Sequence, residues 1–289
     1  MTATDDVQQV LQRLQAENAA LRAELDETNQ GVLALYAELD AQAEQLRQVS
    51  ELKSRFLSYM SHEFRTPLGS ILSMTRLLDD GMDGPLTDEQ RRQVRFVTAS
   101  TTELREMVDD LLDLAKIEAG RITISPGWFD LMDLFSALRG MFRPLVDGDQ
   151  RVDLVFEDPP PLPMLFTDDK KLAQILRNYI SNALKFTVEG TVVVSAAPEG
   201  DDRLRFTVRD TGIGIAPELL PTLFEDFVQV DSPLQQRLRG TGLGLSLCKR
   251  FAGLLGGTVE ADSTPGVGSA FHVVLPVTLH EGETCDATH

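Results

Sequence analysis

The chain has 289 residues, with 45 Asp and Glu against 27 Lys and Arg and a formal net charge of -18; it is long enough for one or two domains with real cores. An acidic surface repels phosphate backbones and anionic lipid, which argues against direct nucleic-acid binding and against a polybasic membrane anchor. No run approaches the ~18 apolar residues a membrane-spanning helix needs, the polar N-terminus has no signal-peptide pattern, and Cys248 and Cys285 form neither a disulfide framework nor a metal-ligand spacing, so a cytoplasmic protein with ordinary thiols and no membrane insertion is expected.

The first element is a heptad pattern. With Leu11, Asn18, Leu25, Val32, Leu39, Leu46, Lys53 and Met60 at a, the d positions are Val7, Leu14, Leu21, Thr28, Leu35, Gln42, Val49 and Phe56, and six of eight are apolar in each set. A pattern sustained from Val7 to Met60 predicts a coiled coil, with Asn18 as a register-setting a residue; the alternative is one amphipathic helix packed on a globular body. Gly31 costs about 1 kcal/mol in a helix interior relative to Ala and is a candidate break. Continuing the register puts His62 at c, off the seam and exposed, and Pro67 is expected to kink the helix just beyond it.

Apolar residues resume at Leu68, Ile71, Leu72, Thr75 and Leu78 before Gly81, Gly84 and Pro85 break the pattern. Thr87-Asp88-Glu89-Gln90 reads as a capping box opening a second helix. Its stripe is Val94, Val97, Thr101, Leu104, Val108, Leu111 and Ala115. An isolated helical hairpin leaves such stripes uncovered, so a two-fold homodimer making a four-helix bundle is expected.

Arg121 to Gly127 reads as an interdomain linker. Beyond it, helices are expected over 168–184 and 244–255, and strands over 191–196, 204–209, 258–261 and 269–275. Together they predict an α/β sandwich, one helical layer over a mixed sheet, followed by a disordered acidic tail at 280–289.

Five motifs lie along this framework: Ser61 to Leu68, Asn178 to Thr187, Asp210 to Ile215, Phe224 to Phe227, and Gly240 to Leu245. In order and spacing they resemble the phosphoacceptor box, N box, first glycine box, F box and second glycine box of sensor histidine kinases. The resemblance covers roughly residues 50 to 279. The implied architecture is an N-terminal coiled coil at 1–56, a dimerisation and phosphotransfer hairpin at 57–121 and an ATP-binding catalytic domain at 127–279. It implies ATP-dependent phosphorylation of His62 and transfer to an aspartate on the receiver domain of a separate response regulator. No sensor or receiver domain is recognisable in the chain, so the signal is expected through the coil or from a separate sensor protein.

The residue chemistry fits that implication. Asn178 and Asn182 are four apart on one helix face, and an Asn oxygen suits Mg2+, which prefers oxygen ligands and keeps several waters; the resemblance makes Asn182 the direct metal ligand, with Lys185 near the phosphates. Asp210 at a strand end can accept from the adenine amine and is expected to face ligand and not core. Gly212, Gly214, Gly240, Gly242 and Gly244 permit close backbone approach and positive φ. With Thr241, Leu243 and Leu245 they lead into a helix N-terminus, a natural phosphate seat. Two Asn on a solvated helix face is the bland alternative for Asn178 and Asn182, and Phe224 and Phe227 are either core aromatics or hinge anchors of a lid over 215–239, where Arg237 and Arg239 either reach a γ-phosphate or are solvated.

The same ATP-binding fold in gyrase-type and chaperone-type ATPases carries a Glu four residues before the metal-binding Asn. Here that position is Asn178, and an amide cannot act as a general base. The nucleophile is therefore expected to be His62, with Glu63 placed to take the Nδ1 proton. Thr66, one turn later, implies by resemblance a part in dephosphorylating the partner's phospho-aspartate, unless it serves only to precede Pro67. His272 is expected on a solvent-facing strand face, and His280 and His289 in the tail. The competing class is a catalytically silent dimeric scaffold that binds ATP only to switch conformation.

Overall fold

A computed structural model of the chain describes residues 3–82, 84–146, 151–228 and 242–279. Gly240, Thr241, Arg237, Arg239, His280, Cys285, His289 and the expected tail lie outside the described residues. The chain divides after Phe56 into two compact units.

Helix α1 spans Ala3–Asp79. In the first unit it runs through Gly31 without interruption, so the helical backbone tolerates the glycine that sequence marked as a candidate break. Leu14, Leu21, Leu25, Val32, Leu35, Leu39, Leu46, Val49 and Phe56 are all exposed. These are the heptad a and d residues, an apolar seam of the kind that packs against another helix.

In the second unit, α1 remains helical through Pro67. Thr66 Oγ1 donates to the His62 carbonyl at 3.2 Å, and Ser70 Oγ to the Thr66 carbonyl at 3.1 Å. Such back-bonding hydroxyls are a common companion of bent helices. A turn with Gly81 at φ 69° and Gly84 at φ 116° leads to α2, Asp88–Glu118, whose capping box is formed: Thr87 accepts from Gln90 N and the Gln90 side chain accepts from Thr87 N. Leu68, Thr75, Thr101, Leu112, Leu114 and Ala115 are buried in or beneath the hairpin, whereas Phe64, Met74, Leu77, Phe96 and Leu104 are exposed.

The remainder is a sandwich. Five strands form a mixed sheet in the order β2-β4-β5-β7-β6: β2 (Val152–Phe156), β4 (Gly190–Glu199), β5 (Arg203–Asp210), β6 (Thr258–Thr264) and β7 (Gly268–Pro276). Only β2 and β4 pair in parallel. A two-stranded sheet pairs β1 (Gly127–Phe129) with β3 (Leu165–Thr167), so the end of the expected linker is in fact a strand. Helices α3 (Leu131–Val146), α4 (Asp169–Phe186) and α5 (Gly244–Leu254) contribute Leu134, Phe135, Leu138, Leu172, Ile175, Tyr179 and Phe251 to one core with Val192, Val194, Phe206, Val208, Val273 and Leu275 of the sheet.

Strand alternation turns His272 to the face opposite these helices, as expected for an outer residue, yet it is only 7% exposed. The flanking strands cover it: Nδ1 sits 2.8 Å from Thr207 Oγ1 and Nε2 3.2 Å from Asp262 Oδ2. Burial, aided by Arg205, pushes its pKa down. A central strand with long polar neighbours on both sides thus buries a residue that alternation alone would leave wet.

Candidate functional site

Helix α4 is built to present one polar stripe. Asp168 caps it by accepting from Lys170 N and Lys171 N, and Leu172, Ile175, Leu176, Tyr179, Ile180 and Ala183 bury one face at helical spacing. Asn178, Ser181, Asn182 and Lys185 remain along the edge of that face and line a cavity of ≈ 230 Å³. Asn182 Nδ2 donates to Asn178 Oδ1 at 3.1 Å. The pair uses the oxygen of Asn178 and the nitrogen of Asn182, so the ligand-type atom that remains is Asn182 Oδ1.

Asp210 ends β5 and lines the same cavity. It is buried, and Oδ1 accepts from Gly212 N at 2.8 Å and Ser269 N at 3.2 Å. Burial raises its pKa while the two backbone donors oppose the rise. This carboxyl therefore also ties the strand end to the following turn and to β7, a structural duty that its expected ligand-facing role did not include.

The glycines answer to neighbouring protein atoms as much as to any ligand. A Cβ on Gly214, at φ +68°, would fall 2.1 Å from the Thr264 carbonyl oxygen; on Gly212 it would meet the Phe186 carbonyl at 2.4 Å. Gly242 does adopt positive φ. Gly244, the first residue of α5, does not; a Cβ there would lie 2.1 Å from Asn178 Nδ2. Its glycine lets the N-box amide pack against the helix end.

Gly214, Gly242, Gly244 and Leu245 all line the cavity, beside a helix start without a side-chain cap. Gly212 and Leu243 do not line it, and Leu243 is buried at 3% exposure. The Phe227 side chain also lies outside the lining and is 65% exposed, but its backbone, at φ 63°, donates from N to the Gly242 carbonyl at 3.1 Å. Phe224 packs partly buried against the core, which anchors one end of the box. Arg250 of α5 reaches Asp226 at 2.7 Å.

His62, Glu63 and Thr66 are exposed on α1, and none of them lines the cavity. The hairpin beside them is braced by Arg65 and Asp109 at 2.6 Å. Instead, α2 supplies three lining carboxylates that sequence reasoning missed: Glu103, Glu106 and Asp110. On a surface helix they read as ordinary solvated charge, with no motif to mark them. Phe186, Ile213, Ile215, Leu223, Val228, Ser269 and Phe271 complete the apolar and small walls. Lys185 has its pKa lowered by burial, with Glu103 acting in the opposite sense.

Among the described residues no group of three or more His, Cys, Asp or Glu could hold a metal ion. A cavity of this kind suits an ion that arrives with its own oxygen-rich substrate and needs one or two amide oxygens from protein. The Asn182 oxygen fits that requirement.

A mixed sheet under one helical layer, entered from a helical hairpin with an exposed histidine, places the chain in the class of histidine kinase cores. The family model of the histidine kinase-, DNA gyrase B- and HSP90-like ATPases matches residues 167–279, and that of the His Kinase A (phospho-acceptor) domain matches 52–120. The chain belongs to the sensor histidine kinases of two-component systems. It is 37% identical over 279 residues to the sensor protein GacS of Pseudomonas syringae pv. syringae, covering 94% of this chain and 28% of that protein. With the histidine protein kinase DivJ of Caulobacter vibrioides it shares 38% over 244 residues, 84% of this chain and 40% of that protein. The chain thus spans well under half the length of these curated relatives. A crystal structure of full-length ShkA in complex with AMPPNP superposes with a TM-score of 0.63 at 33% identity, covering 80% of this chain and 47% of that one. Among the described residues no helix is long and apolar enough to cross a membrane.

Proposed function

We propose that the chain is a homodimeric, ATP-dependent protein histidine kinase that phosphorylates His62 and passes the phosphoryl group to an aspartate on the receiver domain of a response regulator. The observation that carries this reading is the convergence of Asp210, Asn182, Lys185, Gly214 and Gly242 on one cavity in a chain whose exposed His62 precedes Glu63. The AMPPNP complex of the related ShkA supports an adenine nucleotide as the occupant. Asp210 accepts from the adenine amine, and the glycine backbones and the α5 N-terminus receive the phosphates. Mg2+ carried by ATP, on Asn182, supplies neutralisation of the developing phosphate charge.

His62 Nε2 forms the new bond to the γ-phosphorus as the bond to the bridging oxygen of ADP breaks in line, and Glu63 takes the Nδ1 proton. Because Asn178 is an amide whose oxygen is already bonded to Asn182, no base stands ready to activate water at that position. The exposed apolar positions of the hairpin, Phe64, Met74, Leu77, Phe96 and Leu104, support a second copy completing a four-helix bundle. His62 lies outside the cavity, so transfer requires the sandwich to move over α1 of its own chain or of the partner copy. In this reading Thr66 orients water for dephosphorylating the regulator's phospho-aspartate. Location in the cytoplasm and input from a separate sensor protein complete the proposal.

Incubation with γ-labelled Mg-ATP tests it: the expected product is one acid-labile, base-stable phosphate per chain, absent in His62→Gln and chased onto a receiver domain. Undiminished labelling of His62→Gln would overturn the assignment.

A further inference from the structure

Glu103, Glu106 and Asp110 are spaced at three and four residues and so occupy one stripe of α2. That stripe lines the same cavity as Asn182 and Lys185 of α4. One turn further, Asp113 Oδ2 accepts from Gln174 Nε2 at 2.9 Å, a direct tie between the hairpin and the polar stripe of α4. Asp113 also lies 3.6 Å from Lys116. The electrostatics record the crowding. Burial raises the Asp110 pKa from 3.8 to about 6, with Asp113, Glu106 and Asp109 adding to the rise and Arg177 of α4 opposing it.

A triphosphate brings several negative charges to the Lys185 end of this cavity, into a partly desolvated space where Coulomb energies are larger than in bulk water and salt screens them less. There it meets three carboxylates that already draw on the nearby cations, Glu103 on Lys185 and Asp110 on Arg177. We propose that the carboxylate stripe of α2 is an autoinhibitory cap: docking of α2 through Asp113 and Gln174 and occupancy by a nucleoside triphosphate oppose one another. By reciprocity, ATP weakens the docking by the same factor by which docking weakens ATP, so the nucleotide itself frees the sandwich to travel to His62. The inference rests on the reading of the cavity as the ATP site.

Equilibrium binding of ATP and of adenosine to the whole chain separates the two ideas. The isosteric triple variant Glu103→Gln, Glu106→Gln, Asp110→Asn is expected to bind ATP about tenfold more tightly with little change for adenosine, which lacks phosphates. Gln174→Ala, which removes the tie but keeps every carboxylate, is expected to tighten ATP in the same direction. If the wild-type chain binds ATP but both variants match it, or if adenosine gains as much as ATP, the cap is refuted and the ATP site stands. Weaker ATP binding in the triple variant also refutes it, since the carboxylates would then be helping to hold the ion. A wild-type chain that binds neither ligand removes the site reading and the cap together.

Discussion

Replacing Asp210 by Asn changes one side of one carboxyl group. Oδ1 can keep its role, accepting from Gly212 N at 2.8 Å and Ser269 N at 3.2 Å, so the turn and β7 stay tied to the strand end. The second oxygen becomes an amide donor pointed at a base whose amine also donates. A hydrogen bond to a charged acceptor contributes about 1.5–3 kcal/mol, and leaving two donors face to face in a buried site forfeits all of it; at about 1.4 kcal/mol per tenfold, ADP should bind roughly 10- to 150-fold more weakly. The 6-oxo group of an inosine nucleotide accepts, so IDP should lose little or gain. Calorimetric titration with ADP and IDP measures both, and a urea melt close to wild type confirms that the fold is kept. Equal losses for ADP and IDP, or an unchanged ADP affinity, would refute the contact. Asp210→Ala is a different experiment, because it strips an acceptor from two backbone donors beside a buried residue and should also destabilise the sandwich, by about 1–3 kcal/mol.

Three other outcomes are expected. Gly214→Ala forces a side chain into φ +68° and 2.1 Å from the Thr264 carbonyl oxygen, and should lower stability by about 2–4 kcal/mol in urea denaturation; Gly140→Ala, in the exposed middle of α3 with nothing within 4 Å, should raise it by up to about 1 kcal/mol, and equal effects would contradict the packing described. Burial against the sandwich raises the Asp110 pKa to about 6, and undocking relieves that burial while Glu106, Asp109 and Asp113 of α2 stay beside it, so the α2 docking should strengthen on acidification and weaken as pH rises toward and through about 6, with no further change from this group above that. Energy transfer between dyes on Phe96→Cys and Val267→Cys, with Cys285 replaced by Ser, reports it, and a signal flat across that window counts against the cap. Deleting seven residues within 33–49 returns the heptad seam to nearly the same face, whereas deleting two rotates it by about 200°; the ratio of kinase to phosphatase activity should survive the first and shift with the second, and an insensitive ratio would make the coil a tether.

Regular elements with a strong period were legible from the chain alone. The Thr87 capping box, the helix over 168–184 and the strands β5, β6 and β7 follow from residues within one turn or one pleat of each other, so local chemistry suffices. Helix α3 was missed although Leu131, Leu134, Phe135, Leu138 and Phe142, all buried, carry the helical period. Strands β1 and β3, three residues each, are held by their mutual pairing and the Trp128–Phe166 ring contact at 5.1 Å, which no local pattern signals.

For the site, sequence named the polar residues and tertiary structure assigned their surroundings. Asn182, Lys185, Asp210, Gly214, Gly242, Gly244 and Leu245, drawn from three separate motifs, line one cavity. That Gly244 makes room for Asn178, that Asp210 is a backbone clamp as well as a candidate acceptor, and that His272 is buried depend on strands and helices far apart in the chain. The three α2 carboxylates are the clearest case. A Glu or Asp on a polar helix face has the same local sequence whether it meets water or a cavity, and only the packing of α2 against the sandwich decides which, because the cavity that Glu103, Glu106 and Asp110 line is walled by residues of α4, α5 and the sheet, far away in the chain.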